Sequence, residues 1–143
     1  ELAQWITDNR LHLCHVFTVD DLKYLHRGGR VSKTAAIAGS ILGIKPLLHV
    51  DNEGHLIPVG KIRGRKQSIE KLVDMMCERM GNWDNSTVAV CHGACLSDAE
   101  YAADLMRKKL GKKTTVHICY TGAVIGSHSG PGTLALFFMG DQR

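Results

Sequence analysis

The stretch TVAVCHGACLSDAEYAADLMRKKLGKKTTVHICY, residues 87–120, decides the fold. It begins with a compact apolar run at 87–91 and ends with another at 114–120, and both are rich in residues that favour strands. Between them, apolar residues recur at helical spacing over residues 98–110. A strand, a helix and a strand in close succession form a βαβ unit, so we predict that part of the sheet is parallel.

Two sites have the spacing of a capping box, in which a Ser or Thr at the helix start is followed three residues later by an acidic residue. Ser97 and Glu100 would open the helix of the βαβ unit. Thr18 and Asp21 would open a short helix that ends at the glycine pair beginning with Gly28. Both patterns predict that the hydroxyl residue is the N-cap.

The remaining segments complete one α/β domain. Residues 1–9 indicate the tail of a helix, so we expect the chain to be cut from a longer protein. Extended runs at 45–50 and 55–63 around a polar turn predict a β-hairpin. Further predicted elements are strands at 11–19 and 134–139 and helices at 33–42 and 67–80. The predicted architecture over residues 1–143 is a mixed sheet with a βαβ unit and a β-hairpin, flanked by helices.

The composition is that of a soluble globular protein, with 44% hydrophobic and 22% charged residues in 143. No apolar run approaches the roughly 18 residues that a membrane span needs. The five cysteines are an odd number for a disulfide framework, so we expect reduced core thiols in a cytoplasmic protein, with Cys14 and Cys119 in strand-like runs. The net charge of +4 permits an acidic ligand without requiring nucleic acid.

The segment Gly126-Ser-His-Ser-Gly-Pro-Gly132 is the most unusual stretch. Its glycines and proline predict a fixed loop with His128 at the centre and hydroxyls at Ser127 and Ser129. The favoured interpretation is a polar anchor for a ligand head group. The alternatives are a structural turn and a hydrolase or transferase that uses His128 with Ser127 or Ser129, although no carboxylate lies near in sequence to orient the imidazole.

A second glycine-containing segment is Arg27-Gly-Gly-Arg-Val-Ser32. The planar guanidinium of Arg30 suits a carboxylate or a phosphate, and the alternative is a solvated basic turn. Ser32 either caps the helix that follows or faces a ligand.

A basic run and a group of cysteines and histidines are weaker candidates for a functional site. The basic run is formed by Lys61, Arg63, Arg65 and Lys66. It favours a charged strand edge, with an adaptor surface for an acidic partner as the alternative. No aromatic residue interleaves it, which argues against nucleic acid. We also predict no metal site, because Cys91 and Cys95 lack a matching second pair and the other candidates, His117 and Cys119, lie in a strand.

Four segments in order, residues 17–32, 43–48, 60–66 and 125–133, resemble the C-terminal domain of the DegV family. Members of that family carry a preceding α/β domain and bind a long-chain fatty acid between the two domains. Some present the fatty acid to a separate fatty acid kinase, which makes the acyl phosphate used in bacterial phospholipid synthesis. The resemblance implies a cytoplasmic lipid carrier that is not an enzyme and has no cofactor besides the bound fatty acid.

The resemblance also implies roles for particular residues. Arg30 and His128 would hold the carboxylate, remote in sequence but converging in space. Further head-group candidates are Ser32, Ser127, Ser129 and Gly130. Candidates for the acyl tunnel are Ile37, Ile41, Leu42 and Ile44, for which ordinary core packing is the alternative. The expected partners are a long-chain fatty acid and a fatty acid kinase subunit, without stable membrane insertion, and the absent half should leave an apolar face exposed.

Overall fold

The computed structural model describes residues 1–32, 43–141 and 143. The strands in this part are β1 (Leu13–Thr18), β2 (Ile44–Val50), β3 (Leu56–Arg63), β4 (Thr87–His92), β5 (Thr115–Tyr120) and β6 (Leu134–Met139). The helices are α1 (Leu2–Asn9), α2 (Leu22–Arg27), α3 (Arg65–Arg79), α4 (Leu96–Leu110) and α5 (Ala123–Ser129). A 3-10 turn at Arg10–His12 joins α1 to β1. The predicted helix at 33–42 lies outside the described residues.

The strands form one mixed sheet in the order β3-β2-β1-β6-β4-β5. β4 and β5 pair in parallel, with α4 as the crossover between them, so the predicted βαβ unit is confirmed. β2 and β3 pair antiparallel, which confirms the predicted hairpin. β1 pairs antiparallel with β2 and β6, and β6 also pairs antiparallel with β4. The α/β fold class with a mixed sheet is therefore correct.

The main core lies between one face of the sheet and helices α3 and α4. Both helices present an apolar stripe at helical spacing, because residues three and four apart lie on the same face. The buried stripe residues are Ile69, Leu72, Val73 and Met76 in α3 and Ala99, Ala102, Ala103 and Met106 in α4. Alternate strand residues, such as Val88, Val90, Leu136 and Phe138, close this core from the sheet.

A smaller core lies on the opposite face, where α2 packs against β1 and β2. It contains Phe17, Val19, Leu22, Leu25 and Leu48. The prediction that Leu22 and Leu25 share one side of a short helix is therefore confirmed. α5 packs against α2, so these two short helices form a unit beside the sheet.

Both capping-box predictions are wrong about the N-cap residue. The N-cap of α2 is Asp21, whose Oδ1 accepts a hydrogen bond from the backbone N–H of Lys23 at 2.8 Å. Thr18 is the fully buried last residue of β1. α4 begins at Leu96 with Cys95 as its N-cap, so Ser97 already lies inside the helix. Thr18 is still part of the strand, and the helix that Ser97 was expected to open has already begun at Leu96.

The cysteine prediction is correct for Cys14 and wrong for Cys119. All five cysteines lie in the described part of the chain, and none of them forms a disulfide. Cys14 is buried in the main core. Cys119 is exposed because β5 is an edge strand, and Cys119 lies on the sheet face away from α3 and α4. An apolar neighbourhood in sequence therefore did not mean burial at this edge.

Candidate ligand head-group site

The last residues of β1, β4 and β5 lie next to the first residue of β6, at one end of the strands. We call this end of the sheet, with the loops that leave it, the loop edge. Thr18 at the end of β1 pairs with Leu134 at the start of β6, and Leu134 also pairs with His92 at the end of β4. His92 in turn pairs with Tyr120 at the end of β5. Loops leading to α2, α4 and α5 leave from this edge, as does the loop that enters β6. Residues far apart in sequence are thereby brought close together.

His128 lies in the last turn of α5 and not at the centre of a loop, which corrects the prediction for the Gly126–Gly132 segment. Gly126 is helical, and its backbone N–H donates to the carbonyl of Gly122 at 2.8 Å. The loop begins only at Gly130, whose φ of +79° ends the helix. A glycine inside a helix lowers its stability without preventing it, so the breaking residues are the later ones, Gly130, Pro131 and Gly132.

Arg30 and His128 meet at Gly28. A Cβ placed on Gly28 would fall on the imidazole of His128, so the ring occupies the space that any other residue would need. Arg30 Nη1 donates a hydrogen bond to the carbonyl oxygen of Gly28. Arg30 is exposed and His128 is partly buried, so both side chains lie at the surface around one glycine. A guanidinium and an imidazole that contact the same residue are candidates to bind a single anion such as a carboxylate.

The loop at residues 130–133 is held by close backbone contacts. The Gly132 N–H donates to the carbonyl of Gly93 at 2.7 Å, and the Gly93 N–H donates to the carbonyl of Thr133 at 2.8 Å. The Thr133 hydroxyl donates to the carbonyl of Gly130 at 2.7 Å. The Tyr24 ring of α2 lies against Gly130, where it leaves no room for a Cβ. The loop therefore fixes α5, and with it His128, relative to α2.

The two serines beside His128 bond within their own helix. Ser127 Oγ donates to the carbonyl of Val124 at 2.8 Å. Ser129 Oγ, which is buried, donates to the carbonyl of Ile125 at 2.9 Å. Among the described residues neither hydroxyl bonds to His128. The nucleophile and base pair that a hydrolase would need is therefore not formed by these side chains.

The other sequence candidates lie in different places. Ser32 is exposed at the end of the described segment 1–32, and Ile44 is partly buried at the start of β2. Ile37, Ile41 and Leu42 lie outside the described residues. Their assignment to an acyl tunnel stays a prediction.

The predicted basic run does not form one surface. Lys61 and Arg63 lie exposed on the edge strand β3, as expected. Arg65 instead begins α3 with its side chain only 20% exposed. It pairs with Asp98 at 2.8 Å and with Asp20 at 3.6 Å. Arg65 is therefore not part of the exposed strip, which corrects the prediction.

Two cations at the C-terminal end of α2 have no acidic partner within the described residues, whereas Lys23 at its start pairs with Asp21 at 3.6 Å. Arg27 and Arg30 form no ion pair there, and Arg27 lies 5.9 Å from the centre of the Tyr24 ring. The two guanidinium groups on either side of Gly28 and Gly29 therefore leave a local positive charge, which favours an anionic ligand. Lys45 by contrast pairs with Asp20 at 2.7 Å.

No metal site involves the cysteines in the described part of the chain. The cluster there that could hold an ion is Asp51, Glu53 and His55 in the β2–β3 turn. Backbone N–H groups of His55 and Glu53 donate to the carboxylate of Asp51 and lower the pKa of Asp51. These bonds shape the hairpin turn, so the acid has a structural role without an ion.

Large apolar side chains are exposed at the same edge as the site. Tyr120, Val124 and Ile125 are 73%, 74% and 62% exposed. Single exposed apolar residues are common, but three within six positions next to a polar cluster form a patch that another surface could cover. No helix in the residues described has both the length and the apolar content to cross a membrane.

Sequence reasoning missed the residues that bring Arg30 and His128 together. Gly28 was interpreted as a helix stop and as a point of close backbone approach, without a partner, and Tyr24 and Asp20 were not assigned any role. The contact of Gly28 with His128 joins two short helices, and no local pattern reports such a contact. The signal that pointed to close packing was the glycine in each segment: Gly28 lies against His128, and Gly130 lies against Tyr24.

The geometry brings a guanidinium and an imidazole to one glycine at the loop end of a mixed α/β sheet. Residues 1–141 match the model of the DegV family, which is described as a family of uncharacterised proteins. The chain belongs to the DegV family, and its fold is that of the DegV fatty-acid-binding proteins.

Individual relatives support this assignment. DegV domain-containing protein CPE0026 of Clostridium perfringens is 46% identical over 143 residues, which are 100% of this chain and 49% of that protein. The fatty acid binding DegV family protein SAG1342 from Streptococcus agalactiae has a TM-score of 0.83 and 29% identity over 99% of this chain and 49% of its own. All of this chain aligns with that relative, and the chain spans about half of the relative's length.

The fold also matches a crystal structure of the Streptococcus pneumoniae fatty acid kinase (Fak) B3 protein loaded with linoleic acid. The TM-score is 0.87 over 98% of this chain and 49% of that chain. With 17% identity, this likeness concerns the fold alone.

Proposed function

We propose that this chain is the C-terminal half of a two-domain protein that binds a long-chain fatty acid and presents its carboxylate to a fatty acid kinase. The observation that carries the proposal is the meeting of Arg30 and His128 at Gly28. In this proposal Arg30 pairs with the carboxylate and His128 donates a hydrogen bond to it. Ser32 is a further candidate for the head group because it lies two residues after Arg30.

The energetics suit a binding protein. An ionised carboxylate that leaves water costs several kcal/mol unless it is paired and hydrogen-bonded. The guanidinium and imidazole would offset that cost and orient the head group. The acyl chain would supply most of the affinity, at about 0.8 kcal/mol for each buried methylene. Ile37, Ile41, Leu42 and Ile44 remain the proposed tunnel wall, next to the head-group site in sequence.

The partner would be the kinase subunit that phosphorylates the carboxylate. Two observations support this step: the exposure of Arg30, which leaves the anion reachable, and the shared fold with the Fak B3 protein. A kinase draws on nucleoside triphosphate, so the proposal locates the protein in the bacterial cytoplasm.

The remainder of the protein would be a second α/β domain. The matched relative is about twice as long as this chain, in agreement with a two-domain protein. The exposed side chains of Tyr120, Val124 and Ile125 lie beside the head-group site. In the proposal, the second domain covers them and closes the binding cleft.

Mass spectrometry of lipids extracted from the intact two-domain protein tests the proposal. We expect one fatty acid per protein molecule in the wild type. Arg30→Gln and His128→Gln should each lower that content several-fold, because each removes one partner of a buried carboxylate. Matched controls are Arg10→Gln and His117→Gln, which change exposed residues of the same type elsewhere.

The expected pattern is loss of lipid in the two site variants and full lipid content in the two controls. A wild-type protein without any fatty acid would refute the proposal. Wild-type lipid content in both site variants would refute the assignment of the head-group residues.

A further inference from the structure

We infer that Arg65 is a positioning residue of the head-group site: its guanidinium clamps the loop at residues 130–133 and thereby fixes the helix that carries His128. This inference rests on the proposed function, because the site that Arg65 positions is the proposed carboxylate site. Arg65 itself does not contact the ligand.

Arg65 connects three elements of the loop edge. Its Nε donates to Asp98 Oδ2 in α4 at 2.8 Å. Its Nη1 lies 3.6 Å from Asp20 Oδ1 in the β1–α2 loop. Its Nη2 donates to the sulfur of Cys95, the N-cap of α4, at 3.6 Å. A guanidinium suits this task because its donors diverge in a fixed planar fork, which an ammonium lacks.

Two of these partners touch the loop at neighbouring residues. The carboxylate of Asp20 lies directly against Gly132, in the space where a Cβ would otherwise be. Cys95 Sγ donates to the carbonyl of Thr133 at 3.3 Å. Burial raises the pKa of the Cys95 thiol, so the thiol keeps the proton that it donates. Arg65 therefore contacts two side chains that each touch the loop, one at Gly132 and one at Thr133.

The loop transmits this constraint to His128. Gly130 ends α5, and its N–H donates to the carbonyl of Gly126 at 2.8 Å. His128 lies two residues before Gly130, in the same helical turn. A shift of the loop would therefore move the imidazole away from Gly28 and Arg30.

The charges of this clamp balance within the cluster. Lys45 pairs with Asp20 at 2.7 Å, so two cations, Lys45 and Arg65, face two carboxylates, Asp20 and Asp98. A cation whose charge is already matched is a poor counter-ion for a ligand. Arg30 lacks such a partner among the described residues, which separates the role of Arg65 from that of Arg30.

The test uses the intact two-domain protein after removal of lipid, with cis-parinaric acid as the fluorescent probe. Arg65→Met should weaken probe binding by about ten-fold or more, and Arg65→Lys should recover part of this loss. Arg63→Met is the matched control, because Arg63 is exposed on β3, and it should change binding less than about two-fold. Amide hydrogen exchange at Gly132 and Thr133 should speed up in Arg65→Met and not in the control.

A double-mutant cycle separates positioning from direct contact. If Arg65 acts through His128, Arg65→Met should change binding by less than about three-fold once His128→Gln is present. Independent losses that multiply would overturn the inference, as would unchanged exchange at Gly132 and Thr133. A wild-type protein that does not bind the probe would instead refute the proposed function, while the exchange measurement would still decide whether Arg65 clamps the loop.

Discussion

The sheet face beneath α3 and α4 and the loop edge beside α2 and α5 are built on different principles. The helix-covered face is a continuous apolar core, in which side chains such as Leu72 and Phe138 are buried by their neighbours. The loop edge is held by backbone hydrogen bonds, ion pairs and glycines that allow close approach. The first region carries stability, and the second can carry a ligand site because Arg30 and His128 remain at its surface.

The difference has a consequence for substitutions. In the core, side-chain volume decides the effect of a substitution. Truncating a buried side chain lowers the free energy of unfolding strongly, whereas another apolar side chain of similar volume is tolerated better. At the loop edge, individual atoms matter, because Gly28 and Gly132 leave no space for a single additional carbon. Stability and ligand affinity should therefore respond to different sets of variants.

The largest effect is expected in the core. Phe138→Ala should lower the free energy of unfolding by about 3–5 kcal/mol, because it removes a buried aromatic ring and leaves a cavity. Phe137→Ala is the matched control on the other sheet face, where the ring is only partly buried and meets His15. Urea denaturation should show a clearly smaller loss for the control. Equal losses would show that both sheet faces carry the same stability.

The second effect concerns the contact between α2 and α5. Gly28→Ala should destabilise the domain by about 2 kcal/mol, because the new methyl group would displace the His128 imidazole. Gly126→Ala is the control within the same helix as His128, since a Cβ there meets open space. That variant should be neutral or stabilising by about 0.5–1 kcal/mol. Thermal unfolding that ranks Gly126→Ala below Gly28→Ala would contradict the packing described.

The third effect is a pH dependence on the face away from α3 and α4. Burial, assisted by the charge of Arg143, lowers the pKa of His15 to about 4 from its ordinary value of 6.5. The unfolded chain therefore takes up the proton first, so stability is fully present above pH 6.5 and is lost as the pH falls toward 4. Because the ring is partly exposed, we expect a loss of about 1–2 kcal/mol over this range.

To check this prediction, the free energy of unfolding is measured by urea denaturation at several pH values between about 7 and 4, for the wild type and for two variants. His15→Gln should flatten the pH dependence relative to the wild type. His117→Gln, which changes an exposed histidine on β5, should leave the dependence as it is. Identical curves for all three proteins would show that His15 does not titrate in this way.

The smallest effect distinguishes a true helix cap from an apparent one. Asp21→Ala should cost about 1 kcal/mol, because it removes the hydrogen bond to the Lys23 N–H. Ser97→Ala should change stability by less than about 0.5 kcal/mol, because Ser97 is exposed inside α4. Equal losses in urea denaturation would restore Ser97 as a capping residue.

The same contrast between regions explains which sequence predictions succeeded. The core elements were predictable because apolar periodicity reflects burial, as in Leu72 and Met76 on α3. The helix starts at the loop edge were not. The sequence spacing around Ser97 and Thr18 fits a capping box, but Asp98 turns to Arg65 and Thr18 ends a strand.

The candidate site was predictable only as a set of residue types. Arg30 and His128 were selected by their glycine-rich surroundings and by family resemblance. Their common contact at Gly28 depends on how α5 packs against α2, which no local pattern reports. The role of Arg65 was hidden for the same reason, because its acidic partners, Asp20 in the β1–α2 loop and Asp98 in α4, lie far from it in sequence.

The most direct test of the central claim is a ¹³C NMR titration of carboxyl-labelled palmitic acid bound to the intact protein. If Arg30 and His128 hold the anion together, the pKa of the bound carboxyl group should lie below the value of about 4 that is usual for a carboxylic acid. Arg30→Gln should move its midpoint upward, while Arg10→Gln should not. The same midpoint in the wild type and in Arg30→Gln would contradict the account.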